Sequence, residues 1–430
     1  MIKMEKFNVS QAIEDFLKIE YTDGLTNEFN TMDALINQFS KEDLRGKYKT
    51  KTFALGVTDN IRALGKSNDT YALGVEDYTN GTDTVEAQFD TTKLLGVFAI
   101  TDESIVKGTN DGSIFNVLQD SLQRMQLGLK HTINRYGYGS ASGKIGAITE
   151  LVGSADTDFL GSGATCYTVK MTNSHSVLPG MALLLKKDGA NYITAKIFDK
   201  PSSKVHDETV RLVKIDSASA GTIDFAVDTV EVFARQLDPT KDVKAEYTGL
   251  EDIVMTENNT IFNIDRAVYK SLNCVVEDLE NGMITEEKLR DMSDHVELTN
   301  SDGSAIDLVA SNHRIISSIE KQLYQFKQYD LDSSKAEFGL GRPRVKFDNY
   351  ELFKDKYSRD ANIYMLDTKQ IGEIVRKDFG WLTKGGEAGI LERRDGTEIY
   401  EGIMTKYADM KVESFKAHAA FKNVAHEIIT

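Results

Sequence analysis

The stretch Gly139-Ser-Ala-Ser-Gly-Lys-Ile145 places small residues around a lysine, as a phosphate-binding loop does. Such a loop needs a glycine five residues before Gly143 and a hydroxyl residue after Lys144, where Tyr138 and Ile145 stand instead. It also follows a helical pattern rather than a strand, and so reads as a linker. A nucleophile elbow fails as well, because Ala141 takes the place between Gly139 and Gly143 where a hydrolase needs its serine. Asp156 and Asp158 begin like a calcium loop, but Leu160 falls on a ligand position and Tyr167 stands where the bidentate glutamate belongs, so a solvated turn is expected. The seven histidines form no His-Glu-x-x-His pair, and His418 and His426 lie on or near a last strand, where His418 reads as a packed or hydrogen-bonded residue. Cys166 and Cys274 are too few for a disulfide framework or a thiolate metal site and read as inert core residues. No catalytic residue, cofactor or metal is expected. The 67 acidic residues offer many carboxylate pairs with none favoured by spacing, which leaves a β-rich hydrolase as the enzymatic alternative.

A chain of 430 residues with 40% apolar and 27% charged content folds, and its length calls for two or three structural units. The net charge of −16 argues against a broad basic face that grips phosphates. No run of eighteen apolar residues occurs, and acids interrupt the weakly apolar N-terminal stretch, so neither a membrane span nor export is expected.

The first fifty or so residues read as a mostly helical polar arm, with Ile13, Phe16 and Leu17 on one face and Leu35, Ile36 and Phe39 on another. From Asn68 to Phe89 the period changes to two, with Tyr71, Leu73 and Val75, then Val85, Ala87 and Phe89, around Asn80-Gly81. Asn-Gly suits the two positive-φ positions of a type I′ turn, so a hairpin is expected, either a loop that packs outside itself or an ordinary meander. Leu118, Leu122, Met125, Leu129 and Ile133 then mark an amphipathic helix from about Ser113 to Tyr136, roughly 35 Å long. Gly137 and Gly139 stop it.

Between Leu151 and Tyr247 helical periodicity disappears, and runs such as CYTVKM, MALLLKK, NYITAKI, VRLVKI and TIDFAV alternate with turn signals, as in a separate inserted β domain. Beyond it, Ile315, Ile316, Ile319, Leu323 and Phe326 mark a helix, and NIYMLD a buried strand. Asp367 with Gln370 looks like the capping box of a further helix. GILERRDGTEIYEGIMTKY reads as two strands around Asp395-Gly396, and FKAHAAFKNV as the last strand.

In this order of elements, and in NIYMLD, DFGWL, EGIMTKYADM, AHAAFKNV and TIFNIDRAVYKS with MITEEKLRDM, the chain resembles the tailed-bacteriophage major capsid protein family. The resemblance implies an α+β class and the Hong Kong 97 type capsid fold: an N-terminal arm (1–56), an extended β-hairpin loop (57–100), a peripheral domain with a long spine helix (101–150), an inserted β-rich domain (151–247), and an axial domain with returning peripheral strands (248–430). It further implies a structural protein that forms pentamers and hexamers of an icosahedral shell around double-stranded DNA, assembled in the host cytoplasm with a separate scaffolding protein and a portal. A net acidic chain is compatible with a wall that does not adhere to packaged DNA. An encapsulin-like compartment is the alternative within the fold. Some relatives cross-link a hairpin lysine to an asparagine of another subunit; the region here offers mainly Lys93 without a supporting acid, and cross-linking is not expected.

The resemblance makes the hairpin residues Tyr71, Leu73, Val75, Asn80, Gly81, Val85 and Phe89 the expected contacts with a neighbouring subunit. Trp381, beside Phe379, reads first as a hydrophobic anchor and second as a further intersubunit contact. Deleting Tyr78 through Thr84 should therefore leave a soluble, folded subunit that no longer assembles, as measured by circular dichroism and sedimentation. Unfolding of the subunit instead would assign the hairpin to its core.

Overall fold

The computed structural model describes residues 35–55, 84–101, 113–152, 156–159, 164–188, 191–201, 208–214, 223, 225, 228–234, 246–300, 303, 305–326, 346–347, 350–382, 391–393 and 396–425. Strands β1 (Ser40–Asp43), β2 (Lys49–Ala54), β3 (Thr84–Phe89) and β4 (Thr92–Thr101) precede the helix α1 (Ser113–Tyr138). Its 26 residues span about 39 Å at 1.5 Å each. Leu122, Leu129 and Ile133, the expected apolar stripe, are buried against Leu94, Phe98 and Ile100 of β4.

The sheet beneath this helix is built on β21 (Ile399–Val412). One edge of β21 pairs with β4 over its first ten residues; the other pairs with β20 (Leu391–Arg393) and then β19 (Ile371–Trp381), while β1 joins β19 in parallel. The β20–β21 turn carries Gly396 at φ +76°, as the Asp395-Gly396 signal anticipated. Gly402 is required by close approach, since a Cβ there would enter the Phe98 ring across the β4–β21 pair.

Seven further strands lie between residues 144 and 234: β5 (Lys144–Leu151), β6 (Asp156–Phe159), β7 (Ala164–Met171), β8 (Ala182–Lys186), β9 (Tyr192–Asp199), β10 (Thr209–Lys214) and β11 (Val230–Ala234). All pairings are antiparallel, and β10 meets both β9 and β7, so six strands close on themselves into a barrel in the order β10-β9-β8-β11-β5-β7, with β6 appended to β7. Closure removes the exposed edges that an inserted sheet would otherwise present. The barrel's first strand begins before residue 151. Its last is VEVFA and not the expected TIDFAV, whose Ile223 and Phe225 instead contribute buried side chains outside any strand. Asp156 belongs to strand β6, facing Cys166, rather than to a solvated turn.

After the short pair β12 (Thr260–Ile261) and β13 (Ile264–Asp265), the rest of the chain builds a mixed six-stranded sheet: β14 (Val275–Asp278), β22 (Ala419–Lys422), β18 (Ile363–Leu366), β15 (Leu308–Ser311), β17 (Tyr350–Lys354) and β16 (Lys346–Phe347), in that order. Strand β18 shows why NIYMLD is apolar throughout: Ile363 and Met365 face the helices α2 (Glu286–Thr299) and α3 (His313–Phe326), while Tyr364 and Leu366 face the core shared with the hairpin base.

Two expectations are corrected. Asp367 starts no helix: its side chain accepts from Lys369 N, Gln370 N donates to its carbonyl, and the chain passes directly into β19. Asp with a polar residue three positions on is equally the chemistry of a tight turn, and Ile371, Ile374 and Val375 favour the strand that follows. Residues 40–43 and 49–54 are strands, not arm helix, and Leu35, Ile36 and Phe39 are buried in this chain's own core through a 3₁₀ turn that packs on α1. Ile13, Phe16 and Leu17 lie outside the described residues.

Leu122 is fully buried between helix and sheet. Leu122→Asp should lower stability by about 3 kcal/mol or more, because an unpaired carboxylate replaces an apolar contact there; chemical denaturation measures it, and a change below about 1 kcal/mol would contradict the packing.

Candidate assembly surfaces

Strands β2 and β3 form a two-stranded ribbon, paired in register from Lys49↔Phe89 to Ala54↔Thr84. The alternation in β3 turns Ala87 and Phe89 inward. Phe89 meets Phe262 edge-on at 4.6 Å, Phe53 meets Phe415 at 5.4 Å, and Gln88 N donates to Phe262 O at 2.9 Å. Behind these rings, fully buried Arg266 donates to the carbonyls of Ile253 (2.8 Å) and Asp252 (2.6 Å) and, through Nε, to Asn259 Oδ1 (2.8 Å), fixing the turn that carries Phe262. Cys274 is buried beside it, its thiol pushed up to about 12 by burial and within reach of the Phe415 carbonyl at 3.0 Å, an inert core residue.

Charge fixes the outer side of the same ribbon. Lys49 and Lys51, two residues apart on β2, reach Glu42 of β1 and Glu413 just beyond β21. Lys411, almost buried, joins both carboxylates, with Glu413 Oε1 at 2.8 Å, so five side chains form one alternating network. Burial opposes ionisation of Glu413, but hydrogen bonds from Lys411 and Lys51 outweigh it and hold the carboxyl down at about 2. Hydrogen bonds from Lys411 and Lys49 likewise lower Glu42.

Tyr71, Leu73, Val75, Asn80 and Gly81 lie outside the described residues. Val85 is half-buried at the ribbon, and Phe89 is 1% exposed, so its ring is spent inside its own chain. Trp381 is 8% exposed, with Phe98 edge-on at 5.7 Å, and anchors β19 over α1. His418 is buried beside Asp367 N, and burial drives its imidazole down to about 4, which makes it a neutral core residue.

The surface that sequence reasoning missed is the outer face of β4. Leu94, Phe98 and Ile100 point at α1, and Leu95 and Val97 point away, 47% and 52% exposed. They stand opposite Thr405 and Ile403 of β21, and β4 has no described partner on its other edge. The run TKLLGVFAIT carries the signal, since a strand apolar on both faces is normally covered on both; its assignment to the hairpin loop concealed it.

No protein-family model and no curated protein matches the sequence. Among solved structures, the capsid chain of cyanophage A-1(L) superimposes over 91% of this chain and 92% of its own, with a TM-score of 0.50 at 8% identity. The chain has the Hong Kong 97 type capsid fold. Other similar structures are the satellite phage P4 procapsid with its size determination protein (99% and 100% covered, TM-score 0.43, 8% identity) and the holo-SrpI encapsulin complex of Synechococcus elongatus PCC 7942 (92% and 90%, 0.42, 7%). In chain order the β2–β3 ribbon precedes α1, the long helix that corresponds to the expected spine, and the barrel follows it, before the mixed six-stranded sheet.

The network predicts a pH response. Both carboxyls lie below their ordinary values, so their contribution to stability is present above about pH 4.5 and lost as the pH falls toward 2. Glu413→Gln should abolish most of the part of that loss contributed by Glu413 and lower stability at pH 7 by about 1 kcal/mol; parallel pH–stability curves for the two proteins would contradict it.

Proposed function

We propose that this chain is the major capsid protein of a tailed phage, a structural protein whose copies form pentamers and hexamers and close into the icosahedral shell around double-stranded DNA. The observation that carries the reading is the superposition of 91% of the chain on a phage capsid chain. The surfaces support it. The β2–β3 ribbon is fixed to the core that holds Phe53 and Phe89, and the apolar outer face of β4 offers a neighbouring copy a seat of matching character. At about 25 cal/mol per Å² of apolar area, interfaces of ordinary size repeated around every subunit make dissociation rare without catalysis. The reading includes a separate scaffolding protein and a portal as assembly partners, a location in the virion after assembly in the host cytoplasm, and no specific grip on DNA, in keeping with the charge of −16. Among the described residues no helix is long and apolar enough to cross a membrane.

Negative-stain electron microscopy of the purified protein, alone and with the products of its neighbouring genes, tests this. Closed shells or rings of five and six are expected; a strict monomer under all conditions would overturn the reading, and shells filled with protein cargo would replace it with a compartment of the encapsulin kind. Val97→Asp should leave the melting temperature within about 2 °C of the parent, since the side chain is exposed, yet reduce shell yield at least tenfold. Normal shells from this variant would remove the β4 face from the assembly contacts.

A further inference from the structure

The turn between β1 and β2 carries Arg45, Lys47 and Tyr48, all exposed, the tyrosine at 47%. Arg376 of β19 fixes its backbone, with Nη2 donating to the carbonyls of Gly46, at 2.9 Å, and of Lys47, while Gly46 holds φ at +117°. The charges of the turn are not matched. Glu42 is held by Lys49 and Lys411, and Asp90 stands 3.7 Å from Arg376. Among the described residues neither Arg45 nor Lys47 has a carboxylate within 4 Å, and Asp43, exposed at the end of β1, still leaves the turn positive.

The opposite character lies on α2. Leu289, Met292 and Val296 bury its inner face, so Glu287, Asp291, Asp294 and Leu298, at steps of four, three and four, form its outer stripe. All four are exposed, Leu298 at 86%. The two basic side chains of the helix are taken up elsewhere, Lys288 by Glu277 at 3.1 Å and Arg290 by Glu286 at 2.9 Å. Among the described residues Glu287, Asp291, Asp294 and Glu297 have no cation within 4 Å. Their placement is unfavourable in the isolated chain. Glu286 and Glu287 suit the positive end of the helix dipole, but Asp294 and Glu297 lie toward its negative end, where the last turn holds no basic residue. Asp291, Asp294 and Glu297 also repel one another at steps of three. A cationic partner with an apolar centre would offset both effects and cover the leucine.

Within one chain the turn leads from the sheet built on β21 into the β2–β3 ribbon, whereas α2 covers the six-stranded sheet, and among the described residues no ion pair joins turn and stripe. We propose that they meet between copies: the turn of one subunit docks on the outer face of α2 in the next, with Arg45 and Lys47 against Asp291 and Asp294 and the Tyr48 ring against Leu298. Tyrosine suits the centre of such a contact, since its ring covers apolar surface while its hydroxyl stays wet. Two different, complementary patches on one chain make a head-to-tail contact, which generates rings of identical copies when the rotation closes. Copies that each carry −16 repel overall, so a local patch of opposite sign selects the faces that approach. The contact rests on the capsid reading and adds to it a pair of surfaces that set subunit orientation by charge.

The test is sedimentation velocity of the full-length protein in about 0.1 M sodium chloride, where charges still act over roughly 10 Å. Arg45→Glu with Lys47→Glu, and separately Asp291→Lys with Asp294→Lys, should each lower the associated fraction about tenfold, and all four changes in one chain should restore it to within about threefold of the parent. Association of either reversal at the parent's level, or a four-fold variant no better than the two reversals, overturns the contact and leaves the capsid reading standing. A parent that stays monomeric under every condition overturns both. The substituted side chains are exposed, and the α2 reversal should melt no lower than the parent because it relieves the negative end of the helix. Should the turn reversal fold poorly, Arg45→Gln with Lys47→Gln takes its place: a smaller fall in association is expected, and association equal to the parent's overturns the contact.

Discussion

Strand β21 is the constraint from which the rest of the body follows. Fourteen residues long, it is paired along both edges, and its inward face lies on the spine helix through Met404 and Ala408. A strand so enclosed carries polar groups only if each is matched. Lys406, 4% exposed, sits 2.6 Å from Glu373 of β19, and Asp409, fully buried, accepts from Thr248 N at 2.8 Å and from the Thr92 hydroxyl at 2.9 Å. Removing one member of such a set leaves an uncompensated charge in a low-dielectric interior, which costs several kcal/mol. The buried ions therefore specify the register of β4, β19 and the return segment on β21 more than they add to net stability.

How much of this was legible depended on whether the signal was local. The period of Leu122, Leu129 and Ile133 identifies the spine helix because one stripe faces one sheet. NIYMLD reads as a doubly covered strand because four consecutive buried residues have no other explanation. Leu35, Ile36 and Phe39 misled because three apolar residues within five fit a helix face as well as a 3₁₀ turn inserted into a core, and the deciding contacts lie a hundred residues away at Gly137. Asp367 misled because capping and turn formation use the same side-chain chemistry. Of the expected contact residues, Phe89 was placed at a neighbouring subunit by the resemblance and Trp381 was read first as a hydrophobic anchor; the rings that cover them within this chain, Phe262 and Phe98, are ones no spacing rule connects to them.

The barrel illustrates a different limit. Its strands are visible one by one as β-rich runs, but closure is not, since it rests on β10 pairing with both β9 and β7. Once closed, its strands pair with one another along both edges, and among the described residues its core of sixteen buried side chains forms a cluster of its own. Its attachment is correspondingly polar: Arg359 Nη2 donates to the Lys144 carbonyl at 3.0 Å and Asp360 N to Asn173 Oδ1 at 2.8 Å. A unit joined to the body by such hydrogen bonds keeps its core apart from the body's.

The pairing of β1 with β19, β4 with β21 and β14 with β22 also sets an order of events during synthesis. Residues 92–101 leave the ribosome three hundred residues before the strand that covers their edge, whereas residues 144–234 hold all they need to close the barrel. The nascent chain thus carries a completed barrel ahead of an open, apolar strand until residue 408 has emerged, and over that interval β4 must be kept from joining other nascent chains of the same gene.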